Sequence, residues 1–573
     1  MPVDVVMSGV GGDGRMSRTE LLLVRSPGSA LHRRGVAPVE PSGRSVSLFA
    51  SAVGLAALFF VVGSVIALVQ LRTSPWYPRF NDVNSDLYVY QMVGNSWRYG
   101  FWPYRDVYDV KGPFLYLLFG LFAWIRPWSM GPPLVFLAIL ASCSMWLAYR
   151  IARLYRLSRG IAALCATASC VVIYLSVAVN TSFTPHEIAV PGVLLMLWLV
   201  LRLLRSEKTG ETGETREEVS AAWWVIDGMV FGALFWTKYQ AIAPWAAVFV
   251  GLIVLTIRGR LPVRSLRRVA GWNTVGLIAT TIIILSCYWA VLSDMAEAYF
   301  LGKASSIKLA NEVPAQAAWM VRIVTEHTGA ALVLAGVLVV FVVGAFRGRA
   351  DGLVLTIGLV LTMWASASFV RHFNHLFVPL SFTVVALAQV LSAAVARGRP
   401  WVRITAAATV VAAMLLIAGP LIEAREKMWL LGRPKRVTCH NLLTATSTTD
   451  RAQVSTVFAR AAGEQPILSV DTLFAARTSF ISRQPMRRKF EFVDHSWAWT
   501  IGATQVQTRY LRERTFDYVW IHTDQLEKLR GLRRQIEQAD IQSSRIRPEQ
   551  AAAIARNYEP ILGCNNELLL RAR

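Results

Sequence analysis

Long apolar runs separated by short polar connections dominate the first three quarters of the chain. A bilayer core takes about 20 apolar residues to cross as a helix, and runs of that order stand at 46–70, 132–149, 161–179, 188–204, 222–237, 241–257, 270–293, 329–346, 352–370, 374–396 and 402–422. A further run, Pro113–Ile125, is short for a span. From about residue 423 the pattern changes. Ile467–Asp471 and Phe516–His522 read as buried strands, and Asp524–Gln538 and Pro548–Arg556 as helices. The chain is therefore expected to be an α-helical polytopic membrane protein of about 11 transmembrane helices with a C-terminal α/β domain.

Composition narrows the class. Of 573 residues, 54% are hydrophobic and 17% charged, and the mean hydropathy is +0.43, values that exclude a disordered chain. Six cysteines are too sparse for a disulfide-stapled secreted module. A net charge of +23 would suggest nucleic acid in a soluble protein. In a polytopic membrane protein the simpler cause is basic loops facing the cytoplasm, so no nucleic-acid partner is expected.

Arginine positions orient the spans. If 113–125 does not cross, the loops 150–160 (Arg150, Arg153, Arg156, Arg159), 205–221, 258–269 (Arg258, Arg260, Arg264, Arg267, Arg268), 347–351 (Arg347, Arg349) and 397–401 (Arg397, Arg399) all lie on one face. The positive-inside rule makes that face cytoplasmic. Residues 1–45 then form a cytoplasmic arm and 46–422 the transmembrane domain of an integral cell membrane (plasma or inner membrane) protein. Pro113–Ile125 becomes a re-entrant or interfacial helix in the first outer loop, 71–131, and 423–573 becomes an extracytoplasmic domain. Cys439 and Cys564 both fall in that domain, and a disulfide and two separate thiols are both compatible with the sequence.

The first outer loop holds the unusual chemistry. It carries Asp82, Asp86, Asp106 and Asp109 with Lys111 among aromatic residues, in the run Gly100-Phe-Trp102-Pro-Tyr104-Arg105-Asp106-Val-Tyr108-Asp109-Val-Lys111-Gly112-Pro113. A solvated loop whose aspartates cap helices is the plainer account of these residues. Clustered carboxylates at a membrane surface are costly unless hydrated or paired, which favours a site. A carboxylate can take a proton from an acceptor hydroxyl while a cation steadies a departing phosphate.

Asp86-x7-Gly94 followed by Gly100-x-x-Pro-Tyr-Arg-Asp-Val-Tyr-Asp-Val-Lys-Gly-Pro113 resembles the first external loop of the GT-C glycosyltransferases. The branch it resembles is the family 39-like one, which groups protein O-mannosyltransferases with lipid A aminoarabinose transferases. The resemblance implies a membrane enzyme that takes a sugar from a polyprenyl-phosphate carrier, passes it to a glycan, lipid or protein acceptor outside the cytoplasm, and inverts the anomeric centre. Asp86 matches the catalytic aspartate, and Asp106 and Asp109 match a second acidic pair. Lys111 matches the lysine that contacts the carrier phosphate. Lys238 matches a recurring family lysine, although an anchor at the membrane interface reads equally well.

Arg371, His372 and His375 stand at the outer rim as further phosphate-binding candidates, against a plainer reading as interface residues. His186 and Glu187 are acceptor-side or metal candidates. A divalent metal is optional, because a monophosphate donor needs less charge neutralisation than a diphosphate and no Asp-x-Asp pair lies in the loop. Membrane lipids are the remaining expected partners. Two rival readings are a transporter or flippase and a surface-polysaccharide polymerase or ligase. The first usually carries mid-membrane charges and paired repeats. The second concentrates its cations in a late outer loop, for which 294–328 with Lys303, Lys308, Arg322 and His327 is a modest candidate.

Overall fold

The computed structural model describes residues 42–73, 86–107, 111–175, 185–209, 219–301, 328–369, 376–396, 437–444, 446–450, 454–463, 465–470, 501–522, 546–564 and 567–573. Two compact units divide the chain, Met1–Ala52 and Val53–Arg573. In the first, the described part is the start of a helix that begins at Ser42. The second holds the helical bundle and the C-terminal sheet.

The bundle helices are α1 (Ser42–Thr73), α2 (Asp86–Arg98), α3 (Pro113–Ile125), α4 (Gly131–Leu154), α5 (Arg159–Leu175), α6 (Pro185–Thr209), α7 (Ala221–Phe235), α8 (Ala243–Ile257), α9 (Val263–Cys287), α10 (Leu292–Ala296), α11 (Thr328–Phe346), α12 (Ala350–Phe369), α13 (Phe377–Leu380) and α14 (Thr383–Ala396). Each predicted span from 46–70 to 374–396 is mostly helical over its described residues, while 176–179, 370, 374–375 and the whole predicted span 402–422 lie outside them. Gly131–Leu154, His186–Ser206, Val263–Cys287 and Val378–Ala396 are each long and apolar enough to cross a bilayer by length and composition. Large apolar side chains stand exposed along the bundle, among them Phe60, Trp124, Ile282, Val339 and Trp364. So broad an apolar surface is disfavoured in water and suits a hydrocarbon surround.

Helices packed in lipid gain little from the hydrophobic effect and rely on close approach. Helices α7 and α9 meet through glycines: a methyl at Gly228 would lie 2.1 Å from the Asn273 carbonyl oxygen, and one at Gly276 would lie 2.1 Å from that of Val225. Helix α3 has only 13 residues, about 20 Å at 1.5 Å per residue, short of a bilayer core. It pairs with α2 instead. Gly94 makes the pairing tight, since a methyl there would sit 2.5 Å from the Phe119 carbonyl carbon.

Arginine-bearing connections gather at one end of the bundle. Arg260 Nη1 donates to the Gly348 carbonyl at 3.1 Å, joining two of the loops. Arg349 pairs with Asp351 at 2.7 Å, the Tyr155 hydroxyl donates to Asp351 at 3.3 Å, and the Arg205 guanidinium lies 4.0 Å over the Tyr155 ring. Burial, and then the nearby Asp351 charge, pushes the Tyr155 phenol up to about 12. It therefore stays a donor to the carboxylate throughout the physiological range.

The C-terminal part is a six-stranded sheet of β1 (Val437–Asn441), β2 (Thr446–Asp450), β3 (Ile467–Ser469), β4 (Tyr518–His522), β5 (Tyr558–Cys564) and β6 (Glu567–Ala572), in the order β2-β1-β5-β6-β4-β3. Only β3 and β4 run parallel; the other neighbours are antiparallel. Both faces are covered. Val519, Ile521, Leu568 and Leu570 point to a core that includes Leu511 and Ile554, from α16 (Ile501–Glu513) and α17 (Pro548–Asn557). Trp520 and Leu569 point the other way, to Phe458 of α15 (Val454–Ala461). This alternation explains the unbroken apolar runs in β4 and β6: a strand buried on both faces has no polar side. The predicted helix Asp524–Gln538 lies outside the described residues. Cys439 and Cys564, register partners on β1 and β5, form a disulfide that closes 125 residues of chain.

Candidate active site

Loops and helix ends converge at the end of the bundle away from the arginine cluster: the 99–107 turn after α2, the Lys111–Pro113 segment that opens α3, the start of α6, the end of α7 and the end of α9. The turn is built around Tyr104, which holds a left-handed backbone at φ 73°. Such a conformation is unfavourable for a bulky residue and persists only where its surroundings enforce it. Here the Tyr104 N–H donates to the Val107 carbonyl at 2.8 Å, and its ring packs on Tyr116 and Tyr288 at 5.6 and 6.0 Å between centroids. Asp106 completes the turn by accepting the Trp102 N–H at 2.7 Å and pairing with Arg105 at 3.4 Å. These two contacts give the carboxyl a part in holding the turn.

The segment Lys111-Gly112-Pro113 is gripped from both sides. The Tyr104 hydroxyl donates to the Lys111 carbonyl at 2.6 Å, and the Tyr288 hydroxyl donates to the Pro113 carbonyl at 2.7 Å. From the end of α7, the carbonyls of Thr237 and Trp236 accept the N–H groups of Gly112 and Phe114, each at 3.1 Å. Only glycine permits this approach, because a methyl at residue 112 would lie 1.9 Å from the Trp236 oxygen. The end of α7 is itself braced: Trp236 Nε1 donates to Thr281 at 3.0 Å, and the Tyr299 hydroxyl donates to the Phe235 carbonyl.

Lys238 follows immediately. Its ammonium lies 3.1 Å from His186 Nε2, and His186 is buried at the start of α6 beside the fully buried Glu187. An ammonium can only donate, so Nε2 must be the acceptor and the imidazole is neutral with its proton on Nδ1. Sequence reading offered Lys238, His186 and Lys111 as separate candidates, and the fold brings all three to one end.

Asp86 is the first residue of α2, and the position of its side chain lies outside the description. So do Asp82, Asp109, Arg371, His372 and His375. Among the described residues no three His, Cys, Asp or Glu side chains converge as metal ligands. Tyr104, Tyr288, Trp236 and Gly112 as a clamp escaped the sequence reading. Tyr104 and Gly112 lie inside the motif, but Tyr288 and Trp236 resemble ordinary aromatic residues near a membrane interface.

No protein-family model matches the sequence, and no curated protein matches it. Solved structures do resemble it in fold. ArnT from Cupriavidus metallidurans bound to undecaprenyl phosphate superposes with a TM-score of 0.54 and 13% identity, over 91% of this chain and 98% of that one. The chain has the ArnT fold. The apo state of ArnT gives a TM-score of 0.51 over the same shares of the two chains. A looser likeness, TM-score 0.45, is to the oligosaccharyltransferase AglB from Archaeoglobus fulgidus, at 13% identity over 89% of this chain and 74% of that chain. The ArnT fold is the fold that the loop resemblance implied.

Proposed function

We propose that this chain is an integral-membrane glycosyltransferase that moves a sugar from a polyprenyl-phosphate carrier to an acceptor outside the cytoplasm. The observation that carries the reading is the clamp on Lys111-Gly112-Pro113. Two backbone hydrogen bonds and two tyrosine hydroxyls hold the motif lysine against the helix end that bears Lys238. Two lysines whose backbones are tied together suit a phosphate that gains charge as it leaves, because charge held in place beforehand needs little rearrangement in the transition state. The ArnT fold supports the same reading, since the matching ArnT structure holds undecaprenyl phosphate.

The reaction is a single in-line displacement with inversion. Asp86 takes the proton of the acceptor hydroxyl, whose oxygen attacks the anomeric carbon. The carbon–oxygen bond to the lipid phosphate breaks, and Lys111 is the counter-charge for the departing phosphate. Lys238 is the second cation, aligned by the neutral His186 that accepts its hydrogen bond. Arg371 and His375 are further phosphate contacts, Asp109 belongs to the second acidic pair, and Glu187 acts on the acceptor side. The arm 1–45 is cytoplasmic and the domain 423–573 extracytoplasmic, where the Cys439–Cys564 disulfide suits an oxidising compartment.

The experiment is transfer of labelled sugar from a synthetic polyprenyl-phosphate sugar by the purified full-length chain. Release of free polyprenyl phosphate with the sugar joined to an acceptor supports the reading. Movement of intact carrier across a vesicle with no bond broken would replace it with a flippase.

A further inference from the structure

Far from the clamp, α6, α7, α8 and α9 enclose a cavity of about 340 Å³. That volume lies within the range of small-molecule sites, about 300–1,000 Å³. Its walls are apolar, with Met196, Phe231, Phe249 and Leu277 among them, yet Asp227 reaches in from α7. Asp227 is only 1% exposed and sits eight residues before the end of α7, about 12 Å along the helix. This is a separate place from the candidate active site. A carboxyl within a membrane helix is costly and marks a functional site by default.

The polar atoms around it have a definite sense. Trp245 Nε1 already donates to Asp227 at 3.3 Å, and the Thr274 hydroxyl already donates to the Ala270 carbonyl at 2.8 Å. Asn273 donates to the Val269 carbonyl at 3.1 Å and its amide also faces the Asp227 carboxyl, while its buried Oδ1 has no hydrogen-bond partner among the described residues. What the cavity offers an occupant is acceptors: the Asp227 carboxyl, Asn273 Oδ1 and the Thr274 oxygen. Among the described residues no cationic side chain lines it. Val250 and Ile253, 42% and 38% exposed, mark a mouth on the bundle's apolar surface.

We propose that this cavity binds a single-chain lipid ending in a hydroxyl, a long-chain primary alcohol, with its chain along the apolar walls and its O–H donated to Asp227 and Asn273. A phosphate-ended lipid is refused, because the polar end supplies a carboxyl and no cation. The site is thus complementary in chemistry to the Lys111–Lys238 end, which favours anions.

The test uses the purified full-length protein and three photoreactive probes of equal chain length, ending in a hydroxyl, a methyl and a phosphate. Cross-linked peptides are located by mass spectrometry. The hydroxyl probe should label α7–α9 about fivefold more than the methyl probe, the factor one net hydrogen bond supports. Asp227→Leu should erase that preference. Ala270→Phe, which adds bulk at the cavity wall, should abolish labelling with Asp227 in place. If Asp227→Leu fails to fold by size exclusion, Ala270→Phe decides alone. Equal labelling by the methyl probe, preference for the phosphate probe, or labelling undiminished in Ala270→Phe would each overturn the proposal.

Discussion

Gly112 donates its backbone N–H to the carbonyl of Thr237, 3.1 Å away, so the loop bearing Lys111 is tied directly to the helix end bearing Lys238. Two positively charged residues far apart in sequence thereby share one scaffold. Gly112→Ala should disrupt it without touching either lysine, because the added methyl would overlap the Trp236 oxygen at 1.9 Å. Transfer should fall about 100-fold, the usual result of misplacing a reacting group by an ångström. Gly160→Ala, where a methyl meets nothing within 4 Å, should keep full activity in the same assay.

Lys111→Ala should weaken donor use far more than Lys238→Ala. Breaking a desolvated charge pair costs roughly 2–5 kcal/mol. Lys238 is held by a neutral imidazole, and on this reading it is the second cation. Donor affinity measured with a non-transferable polyprenyl phosphate checks the order. A greater loss in Lys238→Ala would exchange the roles of the two lysines.

Asp86→Asn should lose transfer by about 10²–10⁴-fold, the scale of general-base catalysis, with folding and carrier binding unchanged. Asp106 behaves differently because its Oδ2 accepts the Trp102 N–H. Asp106→Asn keeps an acceptor and should keep most activity, whereas Asp106→Ala should lower stability by about 1 kcal/mol. Asp109→Asn is expected between Asp86→Asn and Asp106→Asn. Rates from each purified variant rank the carboxylates, and an active Asp86→Asn beside a dead Asp109→Asn would move the base to Asp109.

Replacing Cys439 and Cys564 together by serine should destabilise the C-terminal domain by roughly 2–5 kcal/mol, since a long closed loop is released in the unfolded state. Thermal melting of the two forms measures this. Equal melting temperatures would mean that the sheet holds β1 against β5 unaided.

The described bundle helices were legible because hydropathy is a local property, and helix in lipid satisfies its own backbone. In the sheet, β3 and β4 were legible as short apolar runs. The remaining strands were not, for three different reasons. β1 and β2 (VTCHN and TSTTD) are polar edge pieces, β5 contains a proline, and β6 repeats leucine without alternation. The Cys439–Cys564 pairing depended on strand register, which no spacing encodes. At the candidate site, the residue types of the motif were visible in the sequence. The clamp was not, because it ties the Lys111–Phe114 backbone to Trp236, Thr237 and Tyr288, residues more than 100 positions away, through backbone groups that any sequence possesses and a tyrosine hydroxyl whose target no spacing encodes.

Strand order carries a consequence for how this domain is made. β6 lies between β5 and β4, although it follows both in the chain. During synthesis, therefore, β2-β1-β5 and β4-β3 exist as two separate ribbons, each with an open edge, until Glu567–Ala572 has emerged to join them. Open edges of this kind invite pairing with other chains. The nascent domain is most vulnerable to aggregation just before those six residues arrive, and a chain shortened by that one strand would keep both edges exposed.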